Sequence, residues 1–131
     1  MSKTIRQIVT FRATPHAVYD ALMNAKTHAK FTGGPAKISR KVGGAFSVFG
    51  GSIHGRNLKL VKDTTIIQAW RVKEWPKNVS SRATFSLRKM KNGTRLIFTH
   101  AGVPANALAS IRKGWNTYYW KPMKKLLGQK G

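Results

Sequence analysis

The four histidines, His16, His28, His54 and His100, are the side chains in this sequence best suited to acid–base chemistry near neutral pH. His54 and His100 fall within predicted strands, and we expect both to point into the concave face of the predicted sheet. A neutral imidazole there could orient a bound ligand. One interpretation is a cavity enzyme of the cyclase or hydratase kind, with His54 or His100 as the general base. The structural alternative is a hydrogen-bonded or surface histidine.

Other catalytic arrangements lack the residues that they need. Hydrolysis by paired carboxylates requires two neighbouring acids, whereas this chain has three well-separated ones, Asp20, Asp63 and Glu74. It has no cysteine, no Gly-x-Ser-x-Gly nucleophile motif and no phosphate-binding loop ending in Gly-Lys-Ser/Thr. No two histidines have the spacing of a metal-binding motif. The sequence therefore predicts no catalytic residue, no metal site and no cofactor.

Aromatic residues recur in the predicted strands and in the last predicted helix. They either line a cavity for a small apolar ligand or fill the core between the sheet and the helix. We expect Trp70, Trp115 and Tyr119 to lie nearest to any cavity. The candidate ligand-binding residues are Phe46, His54, Trp70, Phe98, His100, Trp115 and Tyr119.

Hydrophobic periodicity and turn residues place these side chains on strands and helices. Residues 4–11 are predicted as a strand. Thr14-Pro15 then begins a helix that ends near Ala25 or continues as a second short helix to Phe31. Glycine and turn signals after that point predict six further strands, at residues 37–40, 45–49, 53–61, 65–72, 80–89 and 94–99.

A tight turn and a long helix complete the predicted fold. Asn92-Gly93 is predicted to form a type I′ turn, in which both residues have positive φ. After Pro104, apolar residues at three- and four-residue intervals predict an amphipathic helix, kinked or loosened at Pro122. The order of elements predicts an α+β fold in one domain, residues 1–131. A curved antiparallel sheet of six to seven strands would surround the long C-terminal helix.

Short motifs follow one another along most of the chain in a specific order and spacing. They are Ala-Thr-Pro at residues 13–15, FTGGPA at 31–36, VGGAFSVFGG at 42–51, IIQAWR at 66–71, GVP at 102–104 and GW with YYW at 114–120. In these motifs the sequence resembles the helix-grip (START-like, SRPBCC) superfamily and, within it, the family of homologues of the activator of the heat-shock protein 90 ATPase. The resemblance implies the helix-grip fold. It also implies a chaperone partner, because eukaryotic members of the family belong to a co-chaperone. The space between the curved sheet and its helix predicts, as the other possibility, a non-enzymatic domain that binds a small hydrophobic ligand in an apolar cavity.

The charge of the chain is extreme. Twenty-five Lys and Arg residues stand against three acids, giving a net charge of +22, and they are spread evenly, with eight in residues 1–44, eight in 45–88 and nine in 89–131. A surface made basic by engineering of a more neutral parent is one explanation. The alternative function is a salt-sensitive module that binds nucleic acid or another polyanion. Self-repulsion favours a monomer, and without a signal-peptide-like or membrane-spanning run we expect a soluble, cytoplasmic protein.

Overall fold

A computed structural model describes residues 2–128 as seven strands and a set of short and long helices. The strands are β1 (Ser2–Phe11), β2 (Ala36–Ile38), β3 (Ala45–Val48), β4 (Ile53–Val61), β5 (Thr65–Val72), β6 (Ser81–Met90) and β7 (Gly93–Pro104). They form one antiparallel sheet in the order β1-β7-β6-β5-β4-β3-β2, so the first strand closes against the last. The α+β architecture and the six further strands predicted from the sequence are confirmed, although β7 runs five residues beyond its predicted end because Ser2 and Lys3 pair with Pro104 and Val103.

Two short helices, α1 (Pro15–Met23) and α2 (Ala25–Thr32), connect β1 to β2. The Thr14 hydroxyl accepts a hydrogen bond from the Ala17 amide at 3.1 Å, and Pro15 occupies the first helical position. Asn24 separates the helices, because its side-chain oxygen accepts from the amides of Lys26 and Thr27 and caps a new start. Of the two predicted alternatives, a helix that ends near Ala25 or one followed by a second short helix, the structure has the latter.

The C-terminal helix, residues 108–128, consists of α3 (Leu108–Gly114), a π-helical segment (Trp115–Trp120) and α4 (Lys121–Gly128). The Lys121 amide donates to the Asn116 carbonyl five residues earlier. Pro122 has no N–H with which to continue the usual ladder. The kink or loosened turn predicted at Pro122 is absent, because α4 continues through the proline; the irregularity is the π-helical segment Trp115–Trp120, which ends two residues before it. This widened segment directs three aromatic side chains, Trp115, Tyr119 and Trp120, into the interior.

The hairpin between β6 and β7 differs from its prediction. Met90 pairs with Gly93, so the two-residue loop is Lys91-Asn92, and Asn92 does not have the positive φ that a type I′ turn needs. Gly93 is required for a different reason: its φ is 153°, and a Cβ there would overlap the carbonyl oxygen of Phe11 at the end of β1. The Asn-Gly pair thus reflects a close approach of two strands and not a primed turn.

One buried polar group fixes the middle of the sheet. Asn57 is fully buried where the β4–β5 register shifts, and its amide nitrogen donates to the carbonyls of Ser39 and Lys41 at 2.7 and 3.1 Å. Gln68 on β5 donates to the Asn57 side-chain oxygen at 3.1 Å. These bonds hold the β2–β3 connection over β4 without leaving the Asn57 amide unsatisfied.

Candidate functional site

The candidate site lies where the sheet faces the C-terminal helix, and it is built mainly of aromatic rings. Trp115 of the π-helical segment packs on Phe98 of β7 and Trp70 of β5, with ring centroids 4.4 and 5.7 Å away. Phe85 of β6 completes the contact at 5.7 Å. All four rings are at most 4% exposed. The space between sheet and helix is therefore filled largely by packed aromatic side chains.

His100 on β7 sits within this cluster in a chain of hydrogen bonds. The indole N–H of Trp115 donates to His100 Nδ1 at 3.0 Å, so Nδ1 carries no proton and the hydrogen of the neutral ring is on Nε2. Nε2–H then donates to the Ser81 hydroxyl at 2.7 Å, and that hydroxyl donates to the Trp70 carbonyl at 2.8 Å. Each polar side-chain atom in this series of hydrogen bonds therefore has a partner.

These contacts determine what His100 can do chemically. The ring is fully buried, and burial lowers its pKa to about 4 because the charged imidazolium would be poorly solvated there. Both ring nitrogens are already engaged with protein groups. His100 thus has no lone pair directed at an open space, as a general base must have. Its geometry is that of a residue holding the helix against the sheet.

A second buried histidine, His28 of α2, lies on the other side of the same cluster. His28 Nε2 and the Tyr119 hydroxyl share a hydrogen bond of 2.9 Å, and burial lowers the pKa of His28 to about 4 while it raises the pKa of Tyr119. His28 Nδ1 is buried with no hydrogen-bond partner in the described part of the chain. A cavity of about 20 Å³ beside these residues has room for about one water molecule. The enclosed interior is too small for an organic ligand.

A larger space opens beside the cluster, between the C-terminal helix, the turn Phe49–Gly51, and the ends of two interior strands, β4 at Ile53 and β5 at Val72. We call it the groove; its volume is about 370 Å³. Trp70, Trp115 and Tyr119, which also border the small cavity, contribute to its lining. Its other apolar lining residues are Phe49, Ile53, Val72, Ile111 and Tyr118, with Gly114 on the helix.

Phe49 and Tyr118 join the two sides of the groove. Phe49 has a φ of 53°, an unusual conformation for a side chain other than glycine, and its ring packs edge to face on Tyr118 at 5.7 Å. Tyr118 is 51% exposed, so a large aromatic surface stands at the edge of the groove in contact with solvent. Large exposed apolar groups beside a concavity are typical of binding sites.

Six of the seven candidate residues come together and one does not. Phe46, Trp70, Phe98, His100, Trp115 and Tyr119 are buried between the sheet and the helices. His54, expected on the concave face, pairs with Ser47 and Arg71, and side chains opposite one another share a face. Gly55, the neighbour of His54, pairs with Trp70 on the inner face. His54 therefore points to the outer face, because adjacent strand residues alternate.

Part of the groove was not anticipated from the sequence. Ile53, Ile111 and Gly114 were not among the candidates, since nothing in a single hydrophobic residue shows that it borders an open space. His28 was missed as well, because its helix pattern does not show that the imidazole meets a tyrosine 91 residues away. The expected crowding of aromatic residues on the last helix is the signal that pointed to the right region.

Metal and membrane sites have no structural basis in the residues that the structure describes. Across residues 2–128, no three His, Asp or Glu side chains lie close enough together to hold a metal ion. No helix in that range combines the length and the apolar composition needed to cross a bilayer.

The sheet order, the paired short helices after β1 and the long helix lying on the sheet define an α+β domain of the helix-grip class. The chain belongs to the family described as Activator of Hsp90 ATPase homolog 1-like protein, whose profile matches residues 12–128. The resemblance inferred from the motifs is thereby confirmed.

The chain is similar to a part of longer proteins and to nearly the whole of a structure of about its own size. It is 29% identical over 119 residues to the human activator of 90 kDa heat shock protein ATPase homolog 1 and 30% identical over 115 residues to its Dictyostelium discoideum homolog. These matches cover 91% and 87% of this chain but 35% and 30% of the relatives, so the chain spans about a third of their length. The crystal structure of an HSP90 activator from Plasmodium falciparum matches with a TM-score of 0.88 and 28% identity, covering 98% of this chain and 96% of that one.

Proposed function

We propose that this chain is a non-catalytic binding domain that holds a small hydrophobic ligand in the groove. The observation that carries the proposal is the groove itself, whose volume of about 370 Å³ falls in the range of small-molecule sites. Its lining is dominated by aromatic and aliphatic side chains, and the hydroxyls of Ser52 and Ser110 supply a few polar contacts. A hydrophobic molecule would gain by leaving water there.

The interior supports the same assignment by exclusion. The enclosed cavity of about 20 Å³ holds no more than about one water, so it is too small for an organic ligand. Other surface pockets of about 270 and 360 Å³ are lined largely by polar and charged residues, whereas the groove has a mainly apolar lining. His100 has both ring nitrogens hydrogen-bonded to protein groups, which supports a binding role over a catalytic one for this residue. The lining of the groove thus offers a ligand apolar contact and burial, and it holds no histidine or carboxylate for proton transfer.

Gly114 offers a direct test, because it lies in the groove wall on a helix. A Cβ built there would be 3.9 Å from the Tyr118 ring, an ordinary contact, so Gly114→Ala keeps the groove open. Gly114→Leu adds three more carbons that project into the groove. Both substitutions improve helix propensity, so neither should unfold the chain.

The assay uses N-phenyl-1-naphthylamine, a dye whose fluorescence rises in apolar surroundings. Because the dye is uncharged, the net charge of +22 does not attract it to the protein surface. We expect saturable binding to the parent protein, a Kd within about twofold for Gly114→Ala and binding at least about tenfold weaker for Gly114→Leu, the effect of a lost apolar contact of roughly 1.4 kcal/mol or more. Equal binding by all three proteins would place the dye elsewhere and overturn the proposal.

A second candidate function is action on a chaperone of the heat-shock protein 90 class. Its support is the similarity to the Plasmodium falciparum HSP90 activator, which extends over nearly the whole of both chains. The test is the ATPase rate of such a chaperone with and without this protein. Stimulation that saturates with added protein is the expected result, and an unchanged rate at saturating protein would reject this function while leaving the groove proposal standing.

A further inference from the structure

The arginines of this chain are concentrated on one surface, although basic residues are spread evenly along the sequence. The outer sheet face is the side of the sheet that points away from the C-terminal helix. Of the nine arginines in the sequence, six lie on it: Arg6, Arg56, Arg71, Arg82, Arg88 and Arg95. Most of the lysines lie on helices, turns and loops, and the strand registers put only Lys37 and Lys59 beside these arginines.

Strand pairing arranges four of these arginines in two rows. Arg88 on β6 is directly opposite Arg95 on β7. At the other end of the face, Arg82 and Arg56 lie on either side of Ala69, whose small side chain leaves space between the two guanidinium groups. Like charges placed directly opposite each other destabilise a sheet unless an anion lies between them.

The protein supplies no such anion in the described residues. The two ion pairs formed there join Asp63 to His16 and Asp20 to Arg40, and neither involves an arginine of the outer sheet face. Glu74, the remaining acid, follows β5 and makes no ion pair with these side chains. The two rows are therefore cationic sites with no protein counter-charge among residues 2–128.

Arg71 is the exception on this face, because it has a structural role. Its guanidinium donates hydrogen bonds to the carbonyls of Trp75, Pro76, Lys77 and Val79 at 2.6 to 3.1 Å. It holds the β5–β6 connection in place. The outward arginines Arg56, Arg82, Arg88 and Arg95 make no side-chain hydrogen bond or ion pair in the described residues, and all four are exposed.

The surface between the rows matches a phosphate backbone. Arg82 and Arg88 are six residues apart on β6, which corresponds to about 20 Å, or about six steps of a duplex at 3.4 Å each. The outer positions between them carry the hydroxyls of Thr84, Ser86 and Thr99, which can donate to phosphate oxygens, and the apolar side chains of Ile67 and Ile97. These positions carry no aromatic ring on which an unpaired base could stack.

We propose that the outer sheet face binds the phosphate backbone of a nucleic-acid duplex without reading its sequence. Arginine is suited to this role because its planar fork donates two hydrogen bonds to one phosphate. Each arginine row engages phosphates, the hydroxyls between the rows add neutral contacts, and the absent stacking platform excludes recognition of splayed-out bases. The site is on the side of the sheet opposite to the groove and is independent of any ligand there.

The test compares two variants of equal net charge. The first, Arg56→Gln/Arg82→Gln/Arg88→Gln/Arg95→Gln, neutralises the two rows. The matched control neutralises four lysines of the C-terminal helix, Lys113, Lys121, Lys124 and Lys125, also by substitution with Gln. Both lower the net charge from +22 to +18, because each removes four of the 25 basic residues. Thermal unfolding and far-UV circular dichroism verify that each variant is folded.

Fluorescence anisotropy with a 20-base-pair DNA duplex, from about 50 to about 300 mM salt, provides the readout. Four lost phosphate contacts should reduce the slope of log K against log salt by about 3.6 and weaken binding about 100-fold or more, whereas the lysine control should change the slope by less than about 1. If the arginine variant does not fold, the two separate double variants should each reduce the slope by about 1.8. Equal losses in both charge-matched variants, or tighter binding of the single strand than of the duplex, would overturn the proposal.

Discussion

The two buried histidines should make this protein lose stability as the pH falls from 7.5 to 5. Burial lowers the pKa values of His28 and His100 to about 4, against 6.5 for an exposed histidine. Below about pH 6.5 the unfolded chain binds protons at these side chains while the folded protein does not. Protonation therefore favours the unfolded state, and the stability present above pH 6.5 is lost as the pH approaches 4.

The size of the effect follows from the two shifts. At pH 5 an imidazole of pKa 6.5 is almost fully protonated and one of pKa about 4 is mostly neutral, which amounts to about 2 kcal/mol for each histidine and about 4 kcal/mol for both. The composition makes the effect easy to isolate. The sequence has only three acidic side chains, so few carboxylates contribute to the acid limb.

Urea unfolding followed by tryptophan fluorescence, at pH 8, 7, 6 and 5, measures the free energy of unfolding directly. The reference measurement at pH 8 gives the structural cost of His28→Gln and His100→Gln, and the difference between pH 8 and pH 5 gives the titration effect. We expect each variant to lose about half of that difference and the double variant to lose most of it. A parent protein with a flat profile, or a double variant with an unchanged one, would refute the burial argument.

Three further substitutions test other contacts, each by urea unfolding at pH 8. Trp115→Phe removes the indole N–H that a buried imidazole accepts and should cost about 3 kcal/mol; a loss below about 1 kcal/mol would mean that the hydrogen bond is unimportant. Gly93→Ala should cost at least about 2 kcal/mol more than Gly43→Ala, since a Cβ at Gly43 meets no atom within 4 Å; equal costs would contradict the close approach of the strands. Arg95→Glu should stabilise by about 0.5 kcal/mol by facing Arg88 with an opposite charge, and destabilisation would argue against the observed register.

Much of the fold could be predicted because local signals agreed with it. Thr14-Pro15 and the glycine pairs mark real boundaries, and the alternation in β6 identifies the buried residues Ala83, Phe85 and Leu87 correctly. The turn at Asn92 could not be read in this way. Gly93 is needed there because of β1, a strand more than 80 residues earlier, and no local pattern carries that information.

The site shows the same limit. Aromatic spacing on the last helix was enough to bring Trp115 and Tyr119 into the candidate set, since both line the small cavity between helix and sheet. The side of the sheet on which His54 lies could not be predicted, because apolar and polar residues alternate only weakly in that strand and do not indicate which side is buried. The concentration of arginine on one face emerges only when the strand registers are known, since the basic residues are evenly spaced in sequence.

The most direct test of the binding proposal follows the four tryptophan indole N–H signals in a 15N–1H NMR spectrum while N-phenyl-1-naphthylamine is added. Trp70 and Trp115 contribute to the lining of the groove, whereas Trp120 packs toward Phe11 and donates its N–H to Gln7. The account predicts saturable shifts for the signals of Trp70 and Trp115 and a smaller shift for that of Trp120. A saturable shift confined to Trp120, or no saturable shift at all, would contradict a ligand site in the groove.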